Sequence, residues 1–416
     1  MNRQTHNYSW PSILAIVLLS LAGCEHTTAQ PQSTPAVTAQ AESQATAKDA
    51  FPAACQWLWK QQAADGGWHS ETYALLRSGQ SLTPFILHSL LQAPETICPR
   101  PTGAVERALD FIRKNTNDKG IIGMQDPDVL DYPNYSTSYA LGCLLLAGRP
   151  SDRPMIEKMS SHLVSQQYQQ SNGFAPSHLA FGGWGFGGPR PDGDPGHMDL
   201  AHTRRALEAI RLAGVLNQQI FARAEDFLRL VQRHPNDARP QPTLQPVSGV
   251  PAAQLPFDGG FYFSPVVLNA NKGREESDSD HHYFRSYASA TCDGILALLA
   301  AGVDKQDARI TQARDWLDQH PSIEYPAGVP TDHPDPWGEA IHFYHLAVRA
   351  EAYDALEFPG DWRQQIIKHL AQAADARGSF HNSRCHLMKE DDPLLCTTLA
   401  VIAFSHCASP LKIVSE

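Results

Sequence analysis

Two kinds of helical segment alternate along this chain, and the pair recurs six times between about residue 50 and residue 416. The more polar member falls near 53–62, 102–115, 155–168, 217–233, 305–319 and 362–376. The more apolar member falls near 80–93, 135–148, 199–214, 286–302, 337–353 and 393–408. Apolar residues at i, i+3 and i+4 support helices throughout, and no alternating strand pattern of comparable length competes with them. The apolar members resemble one another, as in Ser136-Thr137-Ser138-Tyr139, Ala201-His202-Thr203-Arg204, Ser289-Ala290-Thr291-Cys292 and Cys396-Thr397-Thr398. Three of them run into Ala-Gly, at Gly148, Gly214 and Gly302, where glycine suits a left-handed helix C-terminus.

Between the helices of the first pair stand Trp57-Leu58, then Gln62, then Asp65, Gly66, Gly67 and Trp68. Looser copies follow. Phe111-Ile112 leads to Gly120, Gln167 is followed by Asn172-Gly173-Phe174, and His369-Leu370 leads to Gly378-Ser379-Phe380. Glycine–aromatic pairs also occur at Gly183-Trp184 and Gly260-Phe261. The glycines permit a tight turn, the glutamine amide can reach orphan carbonyls at a helix end, and the ring can pack on the neighbouring pair.

This spacing resembles the QW motif of squalene and oxidosqualene cyclases, and the resemblance covers nearly the whole chain after residue 50. It implies an all-α fold, an (α/α)6 toroid of the terpenoid cyclase/protein prenyltransferase type. The alternative is an open solenoid of stacked helix pairs. That would explain the periodicity but not the QW copies, whereas closure buries all six apolar members.

The first residues have another character. Arg3 is followed by the short apolar run Ile13–Leu21 and then by Leu21-Ala22-Gly23-Cys24, the order of a signal peptide. Leu-Ala-Gly-Cys resembles the bacterial lipobox, which implies cleavage before Cys24, acylation of its thiol and a membrane partner reached through the lipid. Glu25 after the cysteine favours, by the same resemblance, the outer membrane facing the periplasm. Residues 25–49 are Gln, Thr, Ala, Ser and Pro with few large apolar side chains, and read as a flexible tether. The expected organisation is therefore signal peptide 1–23, lipidated cysteine and linker 24–49, and toroid 50–416.

A formal net charge of −11 argues against a nucleic-acid partner and against docking on anionic lipid through a basic patch. Cys55 and Cys98, at the adjoining ends of an antiparallel hairpin, are the foremost candidates for a disulfide. Cys385 and Cys396 are a second pair, while Cys143 and Cys292 sit on apolar helix faces. No Cys-x-x-C motif is present.

Equivalent loops of a ring of hairpins share one rim, and the two longest lead into inner helices. One carries Trp184, Phe186, His197 and Asp199 and runs into His202. The other runs from Phe261 to Tyr287 and holds Asp280, His281 and His282. His342 and His345 share a face of the fifth inner helix, with Glu339 one turn earlier. Histidine with carboxylate suits zinc binding or acid–base work, although hydrogen-bonded rim histidines of no catalytic role would look the same.

The resemblance also says what is missing. Where the cyclases place the acidic Asp of Asp-x-Asp-Asp, this chain has Ala201, and Asp278-Ser279-Asp280-His281 lies well before its helix. Where the prenyltransferases place zinc ligands, it has Glu339, Ile341 and Cys396. No Gly-x-Ser-x-Gly element and no phosphate loop occur. Three functions remain open: a lipoprotein binding an apolar, isoprenoid-like or other small molecule at the toroid mouth, an enzyme on the same scaffold, or a protein-interaction scaffold. Ionisable groups converging on the cavity would favour the enzyme, and a purely aromatic lining would favour binding.

Overall fold

The computed structural model describes residues 49–124, 132–189, 193–241, 255–277 and 282–408. Its helices form six antiparallel pairs. The first three are α1 (Ala50–Lys60) with α2 (Leu82–Gln92), α3 (Ala104–Asn115) with α4 (Pro133–Ala147), and α5 (Arg153–Ser165) with α6 (Leu200–Leu212). Then come α7 (Gln218–Val231) with α8 (Ala288–Ala301), α9 (Ala308–Asp318) with α10 (Trp337–Ala340) and α11 (His342–Ala355), and α12 (Trp362–Ala373) with α13 (Pro393–Ala408). Helices α2, α4, α6, α8, α11 and α13 pack side by side in that order, and α13 packs back on α2. The ring is closed and the solenoid is excluded. Most of α4 and nearly every residue of α8 is buried, as suits an inner helix apolar on all sides, whereas the outer α3 and α7 bury one stripe.

The same device joins three of the pairs to the next among the described residues, and it shows what the QW copies do. Gln62 Nε2 donates to Gly66 O (3.0 Å) and to Ala104 O of α3 (2.9 Å). Gln167 does the same to Gly182 O and Ile220 O of α7, and Gln232 to Gly259 O and Arg309 O of α9. The glutamine thus ties a turn to the first turn of the following outer helix, rather than capping its own helix end. The glycine that Gln167 holds is Gly182, so Gly173-Phe174 belongs to an insertion and Gly183-Trp184 is the true copy. Trp68 and Trp184 are fully buried, and each indole N–H donates at 2.7 Å, to Leu58 O and Leu163 O.

The same contact closes the ring. Gly378 has φ +85°, and a Cβ there would stand 2.7 Å from the backbone of Ala53 on α1. Phe51 stacks on Phe404 of α13 (5.3 Å), and Tyr73 Oη donates to Asp391 (2.5 Å).

The fifth inner helix departs from the continuous segment expected over 337–353. Ile341 leaves the helical region (φ −115°, ψ 24°), dividing α10 from α11. The freed N–H groups of Phe343 and Tyr344 are taken by the Glu390 carboxylate, which reaches over from the loop before α13. Cys55 and Cys98 lie side by side as buried thiols, one hydrogen-bonded to the other, and Cys385 and Cys396 are also free thiols. Among the described residues no helix is long and apolar enough to cross a membrane.

Candidate functional site

The inner helices enclose a cavity of about 260 Å³. Its wall is mostly apolar and aromatic, with Leu82 and Phe85 from α2, Tyr135 and Tyr139 from α4, Ala347 and Val348 from α11, and Leu395, Leu399 and Ile402 from α13. Phe263 and Tyr287 come from the loop before α8. Set into this wall are His202 and Arg205 of α6, Asp293 of α8, Tyr344 of α11, and the loop residues Lys272 and Glu390.

His202 is positioned by the first of the two long loops. A short antiparallel ladder pairs Trp184 with Asp199 and Gly185 with Met198, which fixes Asp199 at the N-cap of α6. Asp199 Oδ1 accepts the His202 backbone N–H at 2.9 Å, and Oδ2 accepts from His202 Nδ1 at 2.8 Å. His197 Nε2 stands 3.3 Å from the same oxygen. Burial pushes the Asp199 carboxyl up, but the two imidazoles outweigh it and hold the group well below the usual carboxylate range. With Nδ1 engaged by Asp199, the remaining ring nitrogen of His202 is Nε2. That atom is buried and has no hydrogen-bond partner among the described residues. Tyr135 packs edge-on against the imidazole at 4.9 Å, and Phe186 lies at 6.0 Å. The second long loop is stitched to the first, with Ser264 Oγ donating to Met198 O and Leu200 N–H to Phe263 O.

Deeper in the ring, charges are neutralised within a buried network. Arg204 reaches Asp293 (3.0 Å), Glu351 (2.8 Å) and Glu208 (2.7 Å), while Arg205 reaches Glu351 (3.1 Å) and Glu208 (2.9 Å). Tyr344 Oη donates to Asp293 at 2.7 Å. Burial pushes the Asp293 carboxyl up against the pull of Arg204. Glu390 accepts from Phe343 N–H (3.0 Å), Tyr344 N–H (2.7 Å) and Asn382 Nδ2 (3.1 Å), yet burial pushes it up to about 8. In the ring order α6 is opposite α13, and His202 of α6 and Glu390 of the loop before α13 both line the cavity.

The expected rim residues separate into groups. Phe186, His197, Asp199 and His202 come together at the mouth. Trp184 lies in the core as the wedge between hairpins. His282 pairs with Glu275 at 2.9 Å on a small hairpin (Glu275–Ser277 with His282–Phe284). Glu339 and His342 do not line the cavity. The Glu339 carbonyl accepts from Asn382, and His342 Nε2 faces His369 Nε2 at 2.8 Å, burial pulling the imidazole down to about 4. Asp280 and His281 lie outside the described residues, as does Cys24. Asp199 is engaged with both of its histidines, and among the described residues no three His, Cys, Asp or Glu side chains converge as a metal-binding group.

Arg205, Lys272, Asp293, Tyr344 and Glu390 were not singled out from the sequence. A usable signal existed for Asp293, the one charged residue in a helix otherwise made of small and apolar side chains. Glu390 is hidden in the polar run Lys389-Glu390-Asp391-Asp392, where solvation is the ordinary reading.

No protein-family description and no curated protein matches the chain. Among solved structures it is similar to the type II terpene cyclase MstE from Scytonema, at 13% identity over 88% of this chain and 99% of that one, with a TM-score of 0.52. A variant of the same cyclase in complex with merosterolic acid A, its product, gives a TM-score of 0.53 at 13% identity, covering 86% and 96% of the two chains. A protein from Actinoplanes matches at 17% identity over 87% of this chain and all of that one, also with a TM-score of 0.53. At this identity the likeness concerns the fold, and the fold is the α/α toroid of the terpenoid cyclase type.

Proposed function

We propose that this protein takes an apolar, isoprenoid-like molecule into the centre of the ring and moves a proton on it. His202 is the acid–base group and Asp199 its orienting partner. The observation that carries this reading is His202 Nε2, buried and unpartnered among the described residues, on a ring that lines an apolar cavity. Buried polar atoms are ordinarily hydrogen-bonded, so an unpartnered one on a ring that lines a cavity offers a ligand a partner. Asp199 fixes the tautomer and stabilises the imidazolium that forms when Nε2 takes a proton. Across the ring Glu390, held protonated by burial, is a carboxyl able to give one. The tyrosine and phenylalanine faces between them favour positive charge developing on the ligand. MstE, which shares the fold, has been seen with geranylgeranyl dihydroxybenzoate as its substrate, and this supports an isoprenoid-like ligand.

Binding without chemistry is the second reading. It is favoured by Ala201, which lines the cavity where the resemblance places the cyclases' acid. Organic extracts of the purified protein, compared by mass spectrometry with extracts of His202→Ala, decide between the two. Distinct isomers or masses are expected. The same apolar molecule in both would leave binding alone, and no apolar molecule in either would remove both readings.

We further propose that Cys24 is acylated and that the tether carries the toroid on a membrane, the outer membrane in a two-membrane bacterium. Cys24→Ser is expected to leave unacylated precursor or soluble protein in cell fractions, and unchanged membrane retention would refute the anchor.

A further inference from the structure

Lys272 stands apart from every other charged group described above. Arg204 and Arg205 are paired with Glu208, Asp293 and Glu351, and Asp199 is engaged by two histidines. Glu390 is satisfied by N–H donors. The Lys272 ammonium has no carboxylate partner among the described residues. Of its three N–H donors, one goes to Ala270 O at 3.0 Å. What surrounds it otherwise is aromatic, the Phe263 ring at 5.4 Å and the Trp337 ring at 5.1 Å. Its stem is rigid. The neighbouring Asn271 is buried, its amide donates to Ser264 O and Leu268 O, and its oxygen accepts from Phe263 N–H and Ser264 N–H. Lys272 also lines two spaces at once, the central cavity and an adjoining pocket of about 400 Å³ that holds Arg274, Asp332 and His333.

We propose that the ligand of the central cavity is an apolar carboxylic acid, and that Lys272 anchors its carboxylate at the mouth, beside the Asp199–His202 dyad. This rests on the reading that the cavity holds an apolar molecule. A cation removed from water and given ring faces, one carbonyl and the field of a carboxylate already shared by two histidines is under-compensated, and an anion with hydrogen-bond acceptors restores the balance. Burial pulls the Lys272 amine down to about 8 against the opposing pull of the Asp199 carboxylate, so it stays mostly charged at neutral pH without forming an ion pair. One ammonium suits a single negative charge. A diphosphate would call for several cations, and the other lysine on the wall, Lys389, is engaged by Tyr132 and Tyr73.

The test measures binding of farnesoic acid and of farnesol to the full chain by titration calorimetry. Wild type is expected to prefer the acid by about tenfold or more, the worth of one charge-assisted hydrogen bond. Lys272→Met is expected to remove that preference while leaving farnesol within about twofold, and Lys272→Arg to keep it. Equal affinities for acid and alcohol in wild type, or loss of the preference in Lys389→Met and not in Lys272→Met, would overturn the anchor and leave the apolar cavity standing. Failure of both probes to bind would instead overturn the cavity reading. Circular dichroism confirms that each variant is folded. Should Lys272→Met unfold, the acid-to-alcohol ratio in wild type and Lys272→Arg still decides.

Discussion

Asp199 divides its two oxygens between two duties, capping α6 through Oδ1 and orienting His202 through Oδ2. These duties can be separated. Asp199→Asn keeps an oxygen for the cap but turns an N–H toward His202 Nδ1, which reverses the imidazole tautomer. Turnover should fall by about a hundredfold or more while thermal stability changes little. A variant that loses both together would mean that the dyad is structural. Glu390 makes a different prediction. Its folded pKa, near 8, lies above its ordinary value of 4.5, so the native state holds a proton that the unfolded state has lost. That contribution is complete below about pH 4.5 and disappears as pH rises through 8. In urea titrations between those limits Glu390→Gln should show a shallower fall of stability with pH than wild type.

At the scale of the element, the hairpin joints govern the fold. Threonines on five inner helices accept the main-chain N–H that follows each joint, as Thr203 does for Trp184 at 3.0 Å and Thr397 for Phe380 at 2.9 Å. Trp184→Ala should cost about 3–5 kcal/mol in denaturant unfolding. A loss below about 1 kcal/mol would mean that the indole is a ligand platform at the mouth. The helix pairs and the first joint were legible in the sequence because their spacing is regular. The third joint was not, because an insertion separates Gln167 from Gly182. For the same reason Trp184, set in a glycine-rich loop, reads as an exposed aromatic until its indole is seen bonded to Leu163 O. The break at Ile341 was equally hidden, since the carboxylate that supports it comes from Glu390, far along the chain. His197, Asp199 and His202 could be found because they cluster locally. Their cavity partners could not, because closure of the ring is what brings α6, α8, α11 and α13 together.

The whole molecule should unfold as one unit. A chain ending after Gly378 lacks α13 and leaves α1, α2 and α11 with open apolar faces. It is expected to lose the cooperative urea transition altogether, whereas loss of a single repeat's worth of stability would point to independent hairpins. Contact between α13 and the first two helices also sets the order of events at synthesis. Helices α1 and α2 leave the ribosome long before α13, the surface that covers them, is made. Until the final hairpin arrives, five hairpins have an exposed seam, and the contacts that seal it span almost the full sequence, the kind that form slowly. A nascent chain of this protein therefore spends its riskiest interval before α13 has been made, and should depend on holding chaperones then.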